Sequence, residues 1–285
     1  MATVTGTGYV TAKKDGTTVI KVTTQDGGYT DTCEVTVYTR DPVAAFVYRM
    51  YRVCLLREPD AGGLQNWVNQ LNARVLTGAQ VAYGFYDSPE MKNRNLSNAD
   101  FVERCYEGIM GRGSDAAGKN YWVKKLENGM SRKAVISGFT ESKEFKELCE
   151  YYGINRGSYQ SDEARDKNEG VTAFVSRLYT KMLGRAYDVT GLNNWCASIL
   201  ANPSKTNVLN VALNGFMHSR EFLNKNLSDI EFVKVLYRTF LGREYDAAGL
   251  ADWTGKLASG MSRDQVASGF AYSQEFARIM ASYGL

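Results

Sequence analysis

The chain has 285 residues, of which 44% are hydrophobic and 23% charged, so it holds enough apolar material for one large core or several small ones. Its 34 basic and 31 acidic residues give a formal net charge of +3 and form no polybasic block, which argues against DNA or RNA as the partner. The sequence contains no run of about 18 uncharged apolar residues, so no transmembrane helix is predicted. The first ten residues also lack the basic and apolar regions of a signal peptide.

The first forty residues alternate β-branched and polar side chains, which is typical of half-buried strands. Glycine-containing turns at 14–16 and 26–28 divide this segment into about three strands. Three strands are too few for an independent sandwich, so we predict that residues 1–40 are part of a β domain. That domain is either truncated on its N-terminal side or completed by contacts elsewhere. The acidic turn that begins at Asp26 favours a hairpin over a calcium site.

The rest of the chain contains one unit of about 50 residues four times. The stretch "LGREYDAAGLADW", which ends at Trp253, recurs in variants that end at Trp67, Trp122 and Trp195. Each copy continues with a Gly-Phe pair and then with Ser-x-Glu followed by Met or Phe. Flanking segments such as "NLSNADFV" and "NLSDIEFV" pair the copies two by two. We therefore predict a mainly α fold with helical modules at 41–154 and 171–285, each of two units, joined by a polar linker at 155–170.

Helix boundaries follow from the pattern within each copy. In copy four, Phe232, Leu236 and Phe240 recur at helical spacing, which predicts an amphipathic helix. Gly242 stands where a C-terminal glycine would end that helix, and Asp246 stands where the next one would begin. Two further helices follow in each copy, and the Ser of Ser-x-Glu is predicted to cap the last of them.

The Arg and the Asp of the repeated motif fit either a catalytic acid with its charge partner or a structural joint. We favour the joint, in which the Asp caps a helix and the Arg pairs with that Asp or with carbonyls that end the previous helix. An Asp directly before an apolar helical stripe is what an N-cap requires. A glycine at the third helical position is expected where a neighbouring backbone approaches. The residues are Arg57, Asp60 and Gly63; Arg112, Asp115 and Gly118; Arg185, Asp188 and Gly191; Arg243, Asp246 and Gly249.

The four Trp residues are predicted to belong to the core, not to sugar-stacking platforms, because apolar residues flank them on the same helical face. The five cysteines are predicted to be mostly buried free thiols, because in the repeat they replace mainly apolar residues. We expect His218 to lie at the surface or at a helix cap. The sequence has no Cys-x-x-Cys pair and a single His, so it predicts no metal site, and the usual nucleophile and cofactor motifs are also missing.

Two parts of the sequence resemble known families. Residues 8–37, with "GYVTA" and "CEVTV" at their ends, are similar to the C-terminal half of a group 2 bacterial immunoglobulin-like domain. Residues 42–285 resemble the bacterial domain-of-unknown-function family 4214 through Phe-Val-x-x-Leu-Tyr, Leu-Gly-Arg-x-x-Asp-x-x-Gly-Leu-x-x-Trp, Gly-Phe and Ser-x-Glu-Phe. This resemblance implies a phycobilisome-linker-like fold and a setting in secreted and cell-surface bacterial proteins, often beside adhesion-type β domains. It supplies a setting and not a mechanism.

These observations favour a non-catalytic bacterial protein, extracellular or at the cell surface and part of a longer secreted protein, that binds a protein or a glycan. The alternative is a carbohydrate-active enzyme or accessory region with a carboxylate pair that the sequence does not reveal. Outside the repeated motif, the candidate ligand contacts are Tyr151, Tyr152 and Tyr159, because exposed Tyr is a common anchor in recognition. Tyr152 recurs as Tyr283, which equally fits a role in closing the module.

Overall fold

The computed structural model describes residues 2–13, 16–37 and 41–285, and it confirms a mainly helical chain with small antiparallel strands at its N-terminus. Strand β1 (Ala2–Val4) pairs with β2 (Val10–Ala12), and β3 (Gly16–Thr23) pairs with β4 (Thr30–Val37) in a separate two-stranded sheet. The described residues thus form four strands, where the sequence pattern predicts about three. The turn predicted at 26–28 joins β3 to β4, whereas residues 14 and 15 of the other predicted turn lie outside the described residues.

The α-helices lie between residues 42 and 282. Module one contains α1 (Pro42–Met50), α2 (Ala61–Asn72), α3 (Gly78–Tyr86), α4 (Pro89–Lys92), α5 (Asn98–Cys105), α6 (Ala116–Glu127), α7 (Arg132–Thr140) and α8 (Lys143–Tyr152). Module two contains α9 (Glu169–Arg177), α10 (Val189–Ala201), α11 (Lys205–Asn210), α12 (Arg220–Leu223), α13 (Asp229–Leu236), α14 (Ala247–Ala258), α15 (Arg263–Ala271) and α16 (Gln274–Ser282). The predicted apolar stripe of copy four is confirmed, since Phe232, Leu236 and Phe240 are fully buried on α13 and the turn that follows it.

The first helix of every unit ends in a π-helical turn, which the sequence pattern did not predict. These turns span Tyr51–Leu55, Tyr106–Met110, Leu178–Leu183 and Tyr237–Leu241, and a fifth π-helical segment follows α11 at Val211–Met217. A residue in the left-handed region ends each of the four. Gly242 confirms the predicted glycine stop, Gly111 and Gly184 take the same place in units two and three, and Leu56 takes it in unit one with a φ of 50°.

Each module closes one hydrophobic core with residues from both of its units. One core draws on residues 43–154 and the other on residues 171–280. In module one the ring of Phe46 lies 6.3 Å from that of Phe145, which belongs to the second unit. In module two Phe174 lies 5.8 Å from Phe240 and 5.7 Å from Phe276. The hydrophobic driving force for folding therefore acts on pairs of units, not on single ones.

The polar segment 155–170 packs against both modules. On the module-one side, the carbonyl of Asn155 accepts a hydrogen bond of 2.8 Å from the amide of Gly78. The ring of Tyr159 stacks on that of Tyr83 with 4.0 Å between the centroids. The backbone hydrogen bond and the stacked rings anchor this end of the segment.

A 3₁₀ turn at Ala164–Asp166 contacts both modules, and on the module-two side the amide of Arg165 donates a hydrogen bond of 3.1 Å to Oδ1 of Asn193. Asp166 accepts a hydrogen bond of 2.8 Å from the amide of Ser131, and the buried guanidinium of Arg165 donates to the carbonyl of Gly129 over 3.3 Å. A side chain at Gly129 would lie 3.1 Å from Leu192 of module two, so the backbone of one module touches the other here. The segment predicted as a linker is therefore a packed joint.

Candidate functional site

The repeated motif was the first candidate for a site, and its Asp caps a helix in all four units, as predicted. The carboxylate accepts from the amide three residues on, and that amide belongs to the motif glycine in every unit. The nitrogen-to-oxygen distances are 2.7 Å at Asp60, 2.8 Å at Asp115, 2.6 Å at Asp188 and 2.8 Å at Asp246. A short polar side chain at the first amides of a helix satisfies donors that otherwise have no partner.

The predicted pairing of the motif Arg with the cap Asp is found as a long ion pair in units one and four, and the nearest partner of the Arg is a residue that the sequence pattern did not predict. The guanidinium pairs with the Glu of Ser-x-Glu in the same unit, and it lies 3.6 Å from the cap Asp246 in unit four and 4.0 Å from Asp60 in unit one. One oxygen of the cap is already bonded to a backbone amide, while the Ser-capped helix brings a Glu within reach of the guanidinium. The pairs are Arg57 and Glu90 at 2.8 Å, and Arg112 and Glu144, Arg185 and Glu221, and Arg243 and Glu275 at 2.6 Å each.

The same guanidinium lies over an aromatic ring, 5.0 Å from the centroid of the repeated Tyr in each of the four units. In unit four that ring, Tyr237, meets Phe270 edge-on at 4.9 Å, and Phe270 lies 5.1 Å from Trp253. Each unit therefore contains an ordered stack of Arg, Tyr, Phe and Trp. Cation–π and edge-to-face contacts of this kind each stabilise a fold modestly beyond the area they bury.

Two repeated glycines make room for this stack. A Cβ at Gly249 would overlap the hydroxyl of Tyr237, and a Cβ at Gly269 would overlap the ring of Trp253. The prediction of a close backbone neighbour at the motif glycine is wrong, because a tyrosine hydroxyl occupies that space in all four units. The Trp rings pack against the two cores but stay half-buried, so they belong to the edge of the core and not to its interior.

The electrostatics of the motif hold its groups in their ordinary charge states. The guanidinium of Arg243 lowers the pKa of Glu275, and the amide of Gly249 lowers the pKa of Asp246. Burial raises the pKa of Tyr237 above its usual value. A general acid or base works best with a pKa near the operating pH, and these three shifts all lead away from neutrality. The arrangement suits a structural joint.

The three Tyr residues proposed as ligand contacts differ in their neighbours and in their exposure. Tyr151 is 78% exposed, and its ring lies 5.2 Å from that of Tyr152. The hydroxyl of Tyr152 accepts a hydrogen bond of 2.5 Å from Arg49, while Tyr159 stacks on Tyr83 in the joint. Among the three, only Tyr151 presents most of its surface to solvent, and its role as a ligand contact stays a prediction.

The cysteines and the histidine lie where they were predicted. Cys54, Cys105, Cys149 and Cys196 are buried, Cys33 is exposed, and all five thiols are free. Burial raises the pKa of Cys54 and of Cys149 to about 12. His218 ends the π-helical segment after α11, and its Nε2 lies 3.0 Å from Asp264 at the surface. The described residues contain no group of three or more His, Cys, Asp or Glu that could hold a metal ion.

In the described part of the chain, none of the helices is both long enough and apolar enough to span a membrane.

A family model described as a domain of unknown function (DUF4214) matches the chain four times, at residues 36–95, 92–149, 157–225 and 213–280. None of the curated proteins compared with the chain is similar to it.

Proposed function

Since the chain belongs to the DUF4214 family of domains of unknown function, we propose from the geometry of its repeated unit that it is a non-catalytic binding or scaffolding protein. The observation that carries this proposal is that the repeated charged residues are bound to partners within their own unit. In all four units the Asp accepts a hydrogen bond from a helix amide and the Arg forms an ion pair with a Glu. These groups therefore already have structural partners. What the units have in common builds the fold, and recognition is left to surfaces in which they differ.

The joint between the modules supports a scaffolding role. Arg165 and Asp166 tie the connecting segment to module one through Gly129 and Ser131, and Lys125 pairs with Glu169 at 2.8 Å. Contacts on both sides hold two modules in a fixed relation, as a protein that presents ligands or partners requires.

The setting belongs to the same proposal. We place the protein outside the bacterial cell or at its surface, where it recognises a protein or a glycan, because this is what the resemblance of its sequence implies. The proposal includes the N-terminal hairpins as part of a larger β domain; it is supported by Val19 and Val22, which are more than half exposed, since a two-stranded sheet is marginal by itself. The likeness of the helical units to phycobilisome linkers also stays a prediction.

A glycan array combined with a pull-down from a bacterial surface extract tests the proposal with the whole chain. We expect specific retention of a glycan or a protein without turnover. Release of reducing sugar from a retained glycan would contradict the proposal and favour the carbohydrate-active alternative.

The variant Asp246→Ala separates a structural motif from a functional one. Loss of the cap is expected to lower the free energy of unfolding by about 1 kcal/mol while retention persists at temperatures where the variant is folded. Chemical denaturation measures the first quantity and the pull-down the second. Retention abolished at an unchanged melting temperature would make the motif a binding site.

A further inference from the structure

A cleft of about 560 Å³ lies between units three and four of module two. The π-helical turn of unit three forms one wall, and the equivalent turn of unit four with its exit loop forms the other. Its volume falls within the range of small-ligand sites. The lining residues are Arg177, Thr180, Lys181, Arg238, Gly242, Arg243 and Glu244.

The cleft carries more positive than negative charge, with four cationic side chains and one carboxylate in its lining. Arg238 is paired with Glu244 at 2.8 Å, and Arg243 is paired with the Glu of its own motif outside the lining. Arg177 and Lys181 form no close ion pair among the described residues, although Lys181 is near enough to Glu244 to help lower the pKa of that carboxyl, after the larger effect of Arg238. The lining keeps an excess of positive charge after these pairings, and such an excess in a concavity attracts an anion.

The equivalent place in module one carries a different set of charges. Lys181 and Arg238 stand where module one has Val53 and Glu107, whereas Thr180 and Glu244 stand where module one has Arg52 and Gly113. The lining in module two therefore has one more net positive charge. Arg49, the counterpart of Arg177, uses all three of its nitrogens, because it donates to two carbonyls and to the hydroxyl of Tyr152.

Tyr283 does not repeat the contact that Tyr152 makes. Its ring lies against Gly170 at the start of α9, and its carbonyl accepts a hydrogen bond of 2.7 Å from Asn168. Arg177 therefore keeps one hydrogen bond, 2.9 Å long, from its Nε to the carbonyl of Thr239. Its two terminal nitrogens have no partner among the described residues and are not sealed off from solvent. They are available to a ligand in the cleft.

The lining chemistry selects the class of ligand. Guanidinium groups bind carboxylate and phosphate oxygens in pairs, a geometry that the tetrahedral sulfate group also offers, and an ammonium group adds a point charge. The lining has no aromatic ring on which a nucleobase could stack and no apolar pocket for the anchor residue of a peptide. We propose that this cleft binds the sulfate or carboxylate groups of an anionic oligosaccharide. The inference rests on the proposed binding function and gives it a site and a ligand class.

Calorimetric titration of the full chain with a heparin-derived hexasaccharide at low ionic strength tests the proposal. Binding should weaken as salt is added, because the contacts are ionic. Lys181→Ala should weaken binding about fivefold, which corresponds to one well-placed ion pair near a surface. Glu244→Gln should tighten it by a similar factor, since it removes the only lining carboxylate and releases Arg238.

The matched control is Lys124→Ala, which removes an exposed lysine outside the cleft and should leave affinity unchanged. Equal losses in both lysine variants, or no binding of the hexasaccharide by the folded chain, would overturn the proposal. It would also fall if inorganic sulfate competed as well as the hexasaccharide, or if a phosphorylated peptide bound more tightly. If the chain retained a neutral glycan or a protein but did not bind the hexasaccharide, the proposed ligand site in the cleft would be wrong. The proposed binding function would then still be supported.

Discussion

One substitution, glycine to alanine, is expected to change stability in opposite directions at two positions of unit four. Gly242 ends its helix with a φ of 65°, in the left-handed region, and an added Cβ would lie 3.6 Å from Arg177, an ordinary contact distance. The cost of Gly242→Ala is therefore conformational and not steric. A residue with a Cβ costs about 1–2 kcal/mol in this region. The smaller entropy of the unfolded alanine chain returns about 0.4–1 kcal/mol, so we expect a loss of about 1 kcal/mol.

Gly255 supplies the control, because it lies inside α14 and a Cβ there meets no atom within 4 Å. Alanine is favoured over glycine in a helix interior by about 1 kcal/mol. Gly255→Ala should therefore raise the free energy of unfolding by about as much as Gly242→Ala lowers it. Urea denaturation of the full chain, followed by far-ultraviolet circular dichroism, measures both free energies. The reasoning is refuted if Gly242→Ala is as stable as the wild type or if Gly255→Ala is destabilised.

Three further predictions concern a buried hydroxyl, an acidic residue and the thiols. The hydroxyl of Thr239 is buried without a hydrogen-bond partner among the described residues, so Thr239→Val should raise the free energy of unfolding by about 1 kcal/mol; a lower denaturation midpoint would reveal a missed partner. Lys119 and Ser114 hold the pKa of Glu103 at about 2, below its ordinary 4.5, so its stabilising contribution is present above pH 4.5 and is lost as the pH falls towards 2. Unfolding measured across that window should show a weaker pH dependence for Glu103→Gln than for the wild type. Thiol titration should find Cys33 reactive in the folded protein and all five thiols reactive after unfolding without reductant; fewer than five would indicate a disulfide.

The helix boundaries could be predicted from the sequence because local chemistry sets them. Asp246 caps the start of its helix through an amide that follows it closely in the chain, and Gly242 ends its helix through its own backbone conformation. The π-helical turns could not be predicted, since the apolar residues that bury an α-helical turn also bury a π-helical one. The pairing of Arg243 with Glu275 joins residues 32 positions apart, beyond the reach of local patterns. A signal existed, because the Glu of Ser-x-Glu recurs in every copy that has the motif Arg.

The cleft in module two was harder to foresee than the joints. Its cations come from two units, and the repeat comparison alone shows that Lys181 and Arg238 depart from module one. The exposure of Arg177 depends on where the ring of Tyr283 packs, and the sequence pairs that residue with Tyr152 as an equivalent. Identical residues in equivalent positions can have different neighbours. A comparison of the repeat sequences therefore could not distinguish the surroundings of Tyr152 from those of Tyr283.

Because two units close one core, the number of units in such a chain is constrained. Phe46 needs Phe145 of the second unit, and Phe174 needs Phe240 and Phe276 of the fourth. A gene that gained or lost one unit would encode a protein with an uncovered apolar face, prone to aggregation and removal by proteases. We therefore expect viable changes in length to add or delete units in pairs, because each pair closes one core.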